Sequence, residues 1–520
     1  METIISLLLL IITAVLAVTG TLKGMRNGIK RQAIRTGTIL IGILVSILLA
    51  KICANSIIGW LENQDAASLS SLLESFDLEL DAETLGQIDA TTLAYIIAIP
   101  VALFISPVIF CIFYLIMHFV TLIPSSILCG AFGFKKRGNS ALSRLSGAAL
   151  GLVTSLIVSA AFFVPVVGML NMIDETFESV AQSDSDAHED ILATYNETLA
   201  PISKSFAVDL LGFFGGDLIY DGATTVSVGD NSYNMSDEVA QPAVKIYLSL
   251  DSFEETDWFA FTKDEQAALD SIIETIDESA YISDLFSDVL VLVADNFADG
   301  DAMADADPML TEVMNTAIDV LKNMAGDEEI HLSDNLKTLT AAYYVLCDYK
   351  VLSDMDNSDK LLDNLLQVVE VKEDGKKVTV MSKVTGILNS NKATVPIVTV
   401  LSKLSVAALA NQLGDGADIT AIYENVKEGV NEITKLDRTS ETYVEEVSSI
   451  LDESLTANGI ELEEEVINDM AVYVDENYDE IILAGDDDGD GMISDQEMNS
   501  IMLSYYDVYV EYYVNEGGAN

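Results

Sequence analysis

Four cysteines in 520 residues leave little scope for covalent stapling. Cys53, Cys111 and Cys129 all precede residue 170, and Cys347 stands alone beyond it, so the larger C-terminal part cannot close a disulfide within itself. An exterior domain built without disulfides suits a bacterium better than a eukaryotic secretory route. Histidine is scarcer still. His118, His188 and His331 are the three present, and none is spaced as a zinc set. His188-Glu189 begins like a metalloprotease helix, but Leu192 stands where the second histidine belongs. No nucleophile elbow and no glycine-rich phosphate loop occurs either, so the expectation is a protein that is not an enzyme. Proline is rare: beyond residue 170 only Pro201, Pro242, Pro308 and Pro396 are available to interrupt helices.

Positive charge is the largest deficit. The chain has 26 Lys+Arg against 83 Asp+Glu, a formal net charge of -57. The imbalance is not spread evenly. Residues 1–170 hold 10 basic and 9 acidic residues, which leaves 16 basic and 74 acidic residues, out of the totals of 26 and 83, for the remainder. Such a surface repels nucleic acid and draws cations. Yet half of all residues are hydrophobic and the mean hydropathy is +0.34. The two facts are compatible if an apolar, nearly neutral membrane part precedes a strongly acidic exterior part.

Four apolar runs support that division: Ile4–Thr19, Gly37–Trp60, Leu93–Val120 and Leu145–Leu170. The second is long enough to cross about 30 Å of hydrocarbon. Met1-Glu2 lacks the basic residues of a secretory leader, so the first run is expected to be retained. Lys23, Arg26, Lys30, Arg31 and Arg35 lie between the first two runs, and Lys135, Lys136, Arg137 and Arg144 lie before the fourth. Basic connections stay cytoplasmic. The N-terminus, the acidic stretch 61–90 and everything after 170 are then expected outside a plasma membrane. Pro100 and Pro107 are expected to kink the third helix. Lys51 and His118 sit toward the ends of their runs, where long side chains reach the interface. Gly147, Gly151, Ser155 and Ser159 recur every four residues, a stripe along which another backbone approaches closely. Packing within the bundle is the first expectation for it. Self-association, or a pore for ions or small solutes, is the alternative.

Gly20-Thr21-Leu22-Lys23-Gly24 after the first run, the basic patch behind it, and Ser143-Arg144-Leu145-Ser146-Gly147 opening the fourth run together resemble the colicin V production protein family over roughly residues 1–170. The resemblance implies a four-helix inner-membrane protein connected with toxin production, export or envelope maintenance. Ser143 stands where family members carry an acidic residue or asparagine.

The acidic part reads as mainly helical. An acidic tether and mixed segment is expected over 171–260, a helical domain over 261–460 and a helix-loop-helix over 461–520. Thr262-Lys263-Asp264-Glu265 has the form of a capping box, followed by Leu269, Ile272, Ile273 and Ile276 on one face. Tyr443, Val444, Val447, Ile450 and Leu451 repeat that periodicity. Two short hairpins are expected. One joins Thr224–Val228 to Asn231–Met235 through Gly229-Asp230. The other joins Val369-Glu370-Val371 to Val378-Thr379-Val380 around Asp374-Gly375. Acid clusters at 299–307 and 354–359 lack the glycine and terminal acid of a calcium loop and are expected to be solvated.

One stretch does carry that pattern. Asp486-Asp487-Asp488-Gly489-Asp490-Gly491-Met492-Ile493-Ser494-Asp495-Gln496-Glu497 fits the twelve-residue EF-hand loop. Calcium takes about seven hard oxygens at roughly 2.4 Å. Asp486, Asp488 and Asp490 would each offer a carboxylate, and Gly491 permits the turn. Met492 would give its carbonyl and Ser494 a hydroxyl or bridging water. Glu497 would close the site with both oxygens, and Ile493 points inward. Val466, Ile467, Met470, Val474 and Ile481 mark an incoming helix; Met498, Ile501, Met502, Tyr505 and Tyr509 mark an outgoing one. A partner loop over Ser454–Glu465 is degenerate, with Glu461 where an apolar residue is wanted. Calcium is therefore the one expected cofactor. The expected class is a bacterial multi-pass envelope or toxin-secretion accessory. A transporter or channel, and a calcium-dependent surface sensor or adhesin recognising a cationic wall component or peptide, are the alternatives.

Overall fold

The computed structural model describes residues 2–61, 90–132, 140–182, 189–253, 256–298, 308–325, 331–354, 360, 364–365, 367–371, 377–409, 419–457, 464–481 and 493–503. The acidic stretch at 62–89, the lysines and arginine at 135–137, the acid clusters at 299–307 and 355–359, the turn at Asp374-Gly375, and Tyr505 and Tyr509 lie outside the described residues. Among the described residues the chain is mostly helical, with two small antiparallel sheets. It divides into two compact units: Met1–Glu254 with Glu274–Leu285, and Glu255–Ile273 with Phe286–Asn520.

Among the described residues, the first unit holds three helices long and apolar enough to cross a membrane, over Ser6–Leu61, Thr92–Ala131 and Ala141–Phe177. Helix α1, Glu2–Leu61, would be about 90 Å long if straight. It is not straight, because Gly28 adopts φ 69° and ψ 167°, a conformation open to glycine and strained for other residues. The break turns the chain back on itself, so that Leu16, Gly20 and Lys23 line the same cavity as Gln32, Arg35 and Ile39.

After α2 (Ala90–Pro100) the backbone makes one π turn, Val101–Ile105, before α3 (Ser106–Ala131). Pro100 and Pro107 bracket that turn. Each lacks an N–H, so the regular hydrogen-bond ladder slips there, and the expected kink takes this form. Ser106 Oγ, buried beside the turn, donates to the carbonyl of Ala223 at 2.5 Å.

Helix α4, Ala141–Gln182, carries the small-residue stripe, and the chain's own first helix fills it. A Cβ placed on Gly20 would stand 2.5 Å from Ser155 Cβ and 2.7 Å from the Gly151 carbonyl oxygen. One on Gly147 would stand 2.8 Å from the Gly28 carbonyl carbon, and one on Gly24 would fall on the Gly147 carbonyl oxygen. Gly20, Gly24 and Gly28 thus form the complementary stripe, and two backbones meet with no side chain between them. The self-association considered for Gly147, Gly151, Ser155 and Ser159 would need this same face, which intramolecular packing already occupies. Contact between Gly28 and Gly147 also sets the turn of α1 beside the start of α4. The basic residues around Gly28 and Arg144 therefore lie at the same end of the bundle.

The first unit continues past residue 170. Helices α5 (Phe206–Phe213) and α6 (Gly216–Thr224) pack into the apolar helices. Ala207, Val208 and Leu211 join a core with Leu9, Ala160 and Val167. Ile219, Tyr220 and Ala223 join Ile43, Phe110, Tyr114 and Val164. Burying these side chains outweighs the acidic character of the surrounding segment, so part of the mixed segment expected over 171–260 belongs to this core. Strands β1 (Thr225–Val228) and β2 (Asn231–Asn234) then pair as the expected hairpin, Val226 opposite Tyr233. Gly229 supplies the positive φ of 56° at the first turn position. Lys51 reaches this hairpin and donates to Ser232 Oγ at 2.8 Å.

In the second unit, Thr262 N–H donates to Glu265 Oε2 at 2.6 Å and Glu265 N–H to Thr262 Oγ1 at 3.3 Å, the reciprocal bonds of a capping box at the start of α7 (Lys263–Glu278). Hydrogen bonds from the Thr256 side chain and the Thr262 backbone hold the Glu265 carboxyl below its ordinary range. The sign follows: its stabilisation is present above the unfolded carboxylate pKa and is lost as pH falls through the depressed folded value. Thr262→Ala is expected to cost about 1 kcal/mol at pH 7 and less as pH falls through the depressed folded value, where the Glu265 carboxylate is lost. Chemical denaturation across the acid range checks this.

Helices α8 (Ala280–Ala298), α9 (Pro308–Met324) and α10 (Leu332–Asp348) follow. Strands β3 (Val368–Val371) and β4 (Lys377–Thr379) pair with a bulge between Val368 and Glu370. Val380, expected in the second strand, instead opens α11 (Val380–Asn389), because Thr379 caps that helix by accepting from Ser382 N–H at 3.2 Å. Ala342, Val351, Val380, Val384, Leu388 and Val398 form one core cluster here. Helices α12 (Val395–Leu409), α13 (Ile419–Ile433), α14 (Tyr443–Ala457), α15 (Glu464–Glu476) and α16 (495–503) complete the unit.

Candidate functional site: the two flanks of the calcium-type loop

Asp486, Asp488, Asp490 and Met492 lie outside the described residues; Ser494 and Glu497, with both flanking helices, lie within them. Among the described residues no group of three or more His, Cys, Asp or Glu side chains could hold a metal. What the structure defines is the frame into which the loop is set.

The incoming flank is α15, with a further turn at Tyr478–Ile481. Of the apolar residues that the sequence marks here, Ile467 is buried and Met470 and Val474 are half-buried; Ala471, which it does not mark, is buried and packs with Tyr443, Val447 and Ile433. Arg438 secures the polar face. Its guanidinium bonds Asp479 Oδ1 at 2.6 Å, the Asp475 carbonyl at 2.7 Å and Asp475 Oδ1 at 3.4 Å, and it stacks 4.9 Å from the Tyr478 ring. Two carboxylates that would repel each other are thus tied to one planar cation.

The outgoing flank begins at Ile493, which is buried with Tyr423, Met498 and Ile501. Its inward direction agrees with the sequence. Ile493 N–H donates to Asn431 Oδ1 on α13 at 2.7 Å. A buried N–H must find an acceptor, and Asn431, in the last turn of α13, supplies it. The degenerate partner loop expected over Ser454–Glu465 falls in part on 458–463, outside the described residues. Asn431 carries no local sequence signal for this contact.

Ser494 and Glu497 form a second capping box. Glu497 Oε2 accepts from Ser494 N–H at 2.8 Å, and Ser494 Oγ accepts from Glu497 N–H at 3.2 Å. Both predicted ligands therefore stand together at the N-terminus of α16, where the helix dipole favours negative charge. Glu497 is 7% exposed, and a carboxylate that far from water needs compensation. Beside it Lys427 pairs with Asp495 at 2.5 Å.

Behind the loop lies a buried amide network that the sequence did not advertise. Asn499, wholly buried, donates to Thr399 Oγ1 at 2.9 Å and to Asn389 Oδ1 at 3.2 Å, and accepts from Ser402 Oγ at 2.9 Å. Asn389 in turn donates to the Gln496 carbonyl at 2.9 Å and to Ser500 Oγ at 3.0 Å, while Gln496 Nε2 donates to the Asn389 carbonyl at 2.8 Å. This network ties α16 to α11 and α12. Beneath the helix, burial first and then the Asp495 and Glu424 charges push the Tyr423 phenol upward, so it stays neutral.

The donor chemistry fits a hard divalent cation. The described half gives a hydroxyl and a buried carboxylate at the ninth and twelfth loop positions, on a helix fixed by packing and amides. The sequence adds three aspartates and a glycine at the right offsets. No family model, curated protein or solved structure matches the chain.

Proposed function

We propose that this is a bacterial multi-pass envelope protein of the colicin V production type, in which a four-crossing membrane unit carries an acidic, calcium-stabilised exterior unit. The supporting observation is the distribution of charge over the apolar helices. Residues 3–61 and 90–173 contain no aspartate or glutamate, and the basic residues around Gly28 and Arg144 gather at one end of the bundle. With α1 folded at Gly28, its two halves, α2–α3 and α4 give four passes of suitable length. The basic end then faces the cytoplasm by the positive-inside rule. Everything after α4 emerges outside, where millimolar calcium reaches Asp486, Asp488, Asp490, Met492, Ser494 and Glu497. A toxin-secretion or envelope accessory role follows from the family resemblance, and a cationic wall component or peptide is the partner that the acidic exterior would take.

Protease added to intact cells tests the topology. An added protease is expected to degrade the second unit and leave a membrane-protected N-terminal fragment. Complete protection of the C-terminal part in intact cells, with digestion after lysis, would refute the arrangement.

A further inference from the structure

The first unit holds a partly open cavity of about 140 Å³ between α1, α3 and α4. Lys23, Gln32, Arg35, His118, Thr154 and Ser155 are among its polar lining. The break at Gly28 creates it, since Lys23 comes from one half of α1 and Gln32 and Arg35 from the other. His118, expected to reach the interface, lines this cavity. It enters the cavity from α3, and its Nδ1 is buried without a hydrogen-bond partner.

We propose that this cavity binds a phosphate-type oxyanion. Three observations carry the assignment. First, Lys23 and Arg35 both line this cavity, and the lining contains no carboxylate. None is at hand on the packed helices either, because residues 3–61, 90–131 and 141–173 contain no acid. Two like charges among apolar helices are costly unless an anion joins them. Second, the neutral groups are arranged as a preformed network. Asn27 Nδ2 donates to Gln32 Oε1 at 3.2 Å, Gln32 Nε2 to Thr154 Oγ1 at 3.3 Å, and the Thr36 and Thr154 hydroxyls lie 2.7 Å apart. These bonds fix the rotamers around the cations. The free imidazole nitrogen adds a further hydrogen-bonding position, which burial makes expensive to leave empty. Third, the size fits. A volume of 140 Å³ holds roughly four waters or one tetrahedral oxyanion, and is too small for a metabolite. The planar guanidinium of Arg35 suits two phosphate oxygens at once.

The oxyanion has two sources, free inorganic phosphate or the headgroup of an anionic phospholipid reaching in from the leaflet. The experiment uses the purified full-length chain in maltoside micelles. Its thermal stability is read against added inorganic phosphate, short-chain phosphatidylglycerol, and a neutral diacylglycerol of equal chain length. Wild type is expected to be stabilised by phosphate or by phosphatidylglycerol, and not by the diacylglycerol. Stabilisation by phosphate alone identifies the free ion as the source, and stabilisation by phosphatidylglycerol alone identifies the lipid. Arg35→Gln is expected to weaken that binding by at least about tenfold, the worth of a charge-assisted bond. His118→Asn weakens it less, and Lys51→Gln, which lies at the hairpin, leaves it unchanged. Without added anion Arg35→Gln melts no lower than wild type, because it removes a repulsion; this separates lost binding from lost folding. Equal stabilisation of wild type and Arg35→Gln, or none by either phosphate compound, would overturn the assignment. The phosphate arm does not depend on the membrane topology.

Discussion

Alanine at Gly24 is expected to destabilise the first unit by about 2 kcal/mol or more, whereas alanine at Gly37 is expected to stabilise it. Both glycines lie within α1, where alanine gains about 0.5–1 kcal/mol of helix propensity. They differ in what the new methyl meets. At Gly37 nothing lies within 4 Å, so the propensity gain stands alone. At Gly24 the methyl collides with the Gly147 carbonyl oxygen and lies 2.9 Å from the Gly151 Cα. Both obstacles are backbone, and neither can rotate aside. The helices must separate, which breaks the whole seam from Gly20 to Gly28 and costs more than the usual overpacking of about 1–3 kcal/mol. Gly147→Ala strikes the same seam from the other side, so the double variant is expected to cost less than the sum of the singles. Thermal denaturation of Gly24→Ala, Gly37→Ala, Gly147→Ala and the double variant in detergent reads all four signs. A Gly24→Ala protein melting at or above wild type would show that the seam does not hold the unit together.

Glu497→Gln is expected to abolish the thermal stabilisation that calcium gives, while leaving the calcium-free protein close to wild type. The capping box separates the two effects. Glutamine at the third helical position still accepts the Ser494 N–H, so α16 keeps its cap. What glutamine cannot do is offer calcium two anionic oxygens. A lone exterior loop binds with a dissociation constant of about 0.1–1 mM. At 10 mM calcium the wild type should then gain about 1.4–2.7 kcal/mol by mass action, or roughly 3–10 °C for a unit of this size. Magnesium, which resists dehydration and wants six ligands, should give much less. Differential scanning of the full chain in calcium, magnesium and chelator checks this. Identical calcium shifts in wild type and Glu497→Gln would remove the loop as the site.

Coupling from that loop is set by the amides behind it. Asn389 and Asn499 hold α16 against α11 and α12 through their own hydrogen bonds. An ion that fixes the N-terminus of α16 therefore also biases the helices on which Asn389, Thr399 and Ser402 sit. Calcium bound at the proposed loop is therefore expected to stabilise the second unit beyond its C-terminal end.

Much of this protein is written in its sequence because the relevant signals are local or cumulative. Apolar length alone decided which helices are long enough to cross a membrane. Thr262-x-x-Glu265 and Gly229-Asp230 determined a helix start and a hairpin, since a cap and a turn need only neighbouring residues. Spacing marked Ser494 and Glu497 as two positions of one calcium-type loop; that they also hold each other as a capping box came from the structure. Tertiary structure decided the rest, because it turns on which surfaces meet. The small-residue stripe of α4 announced a close approach without saying to what; the answer, Gly20, Gly24 and Gly28, depended on the chain reversing at a single glycine. The same reversal brought Lys23, Arg35 and His118 around one cavity, although 95 residues of sequence separate the first from the last. Helices α5 and α6 joined the apolar core because Leu211 and Tyr220 found complementary faces there, a gain no window of local hydropathy contains.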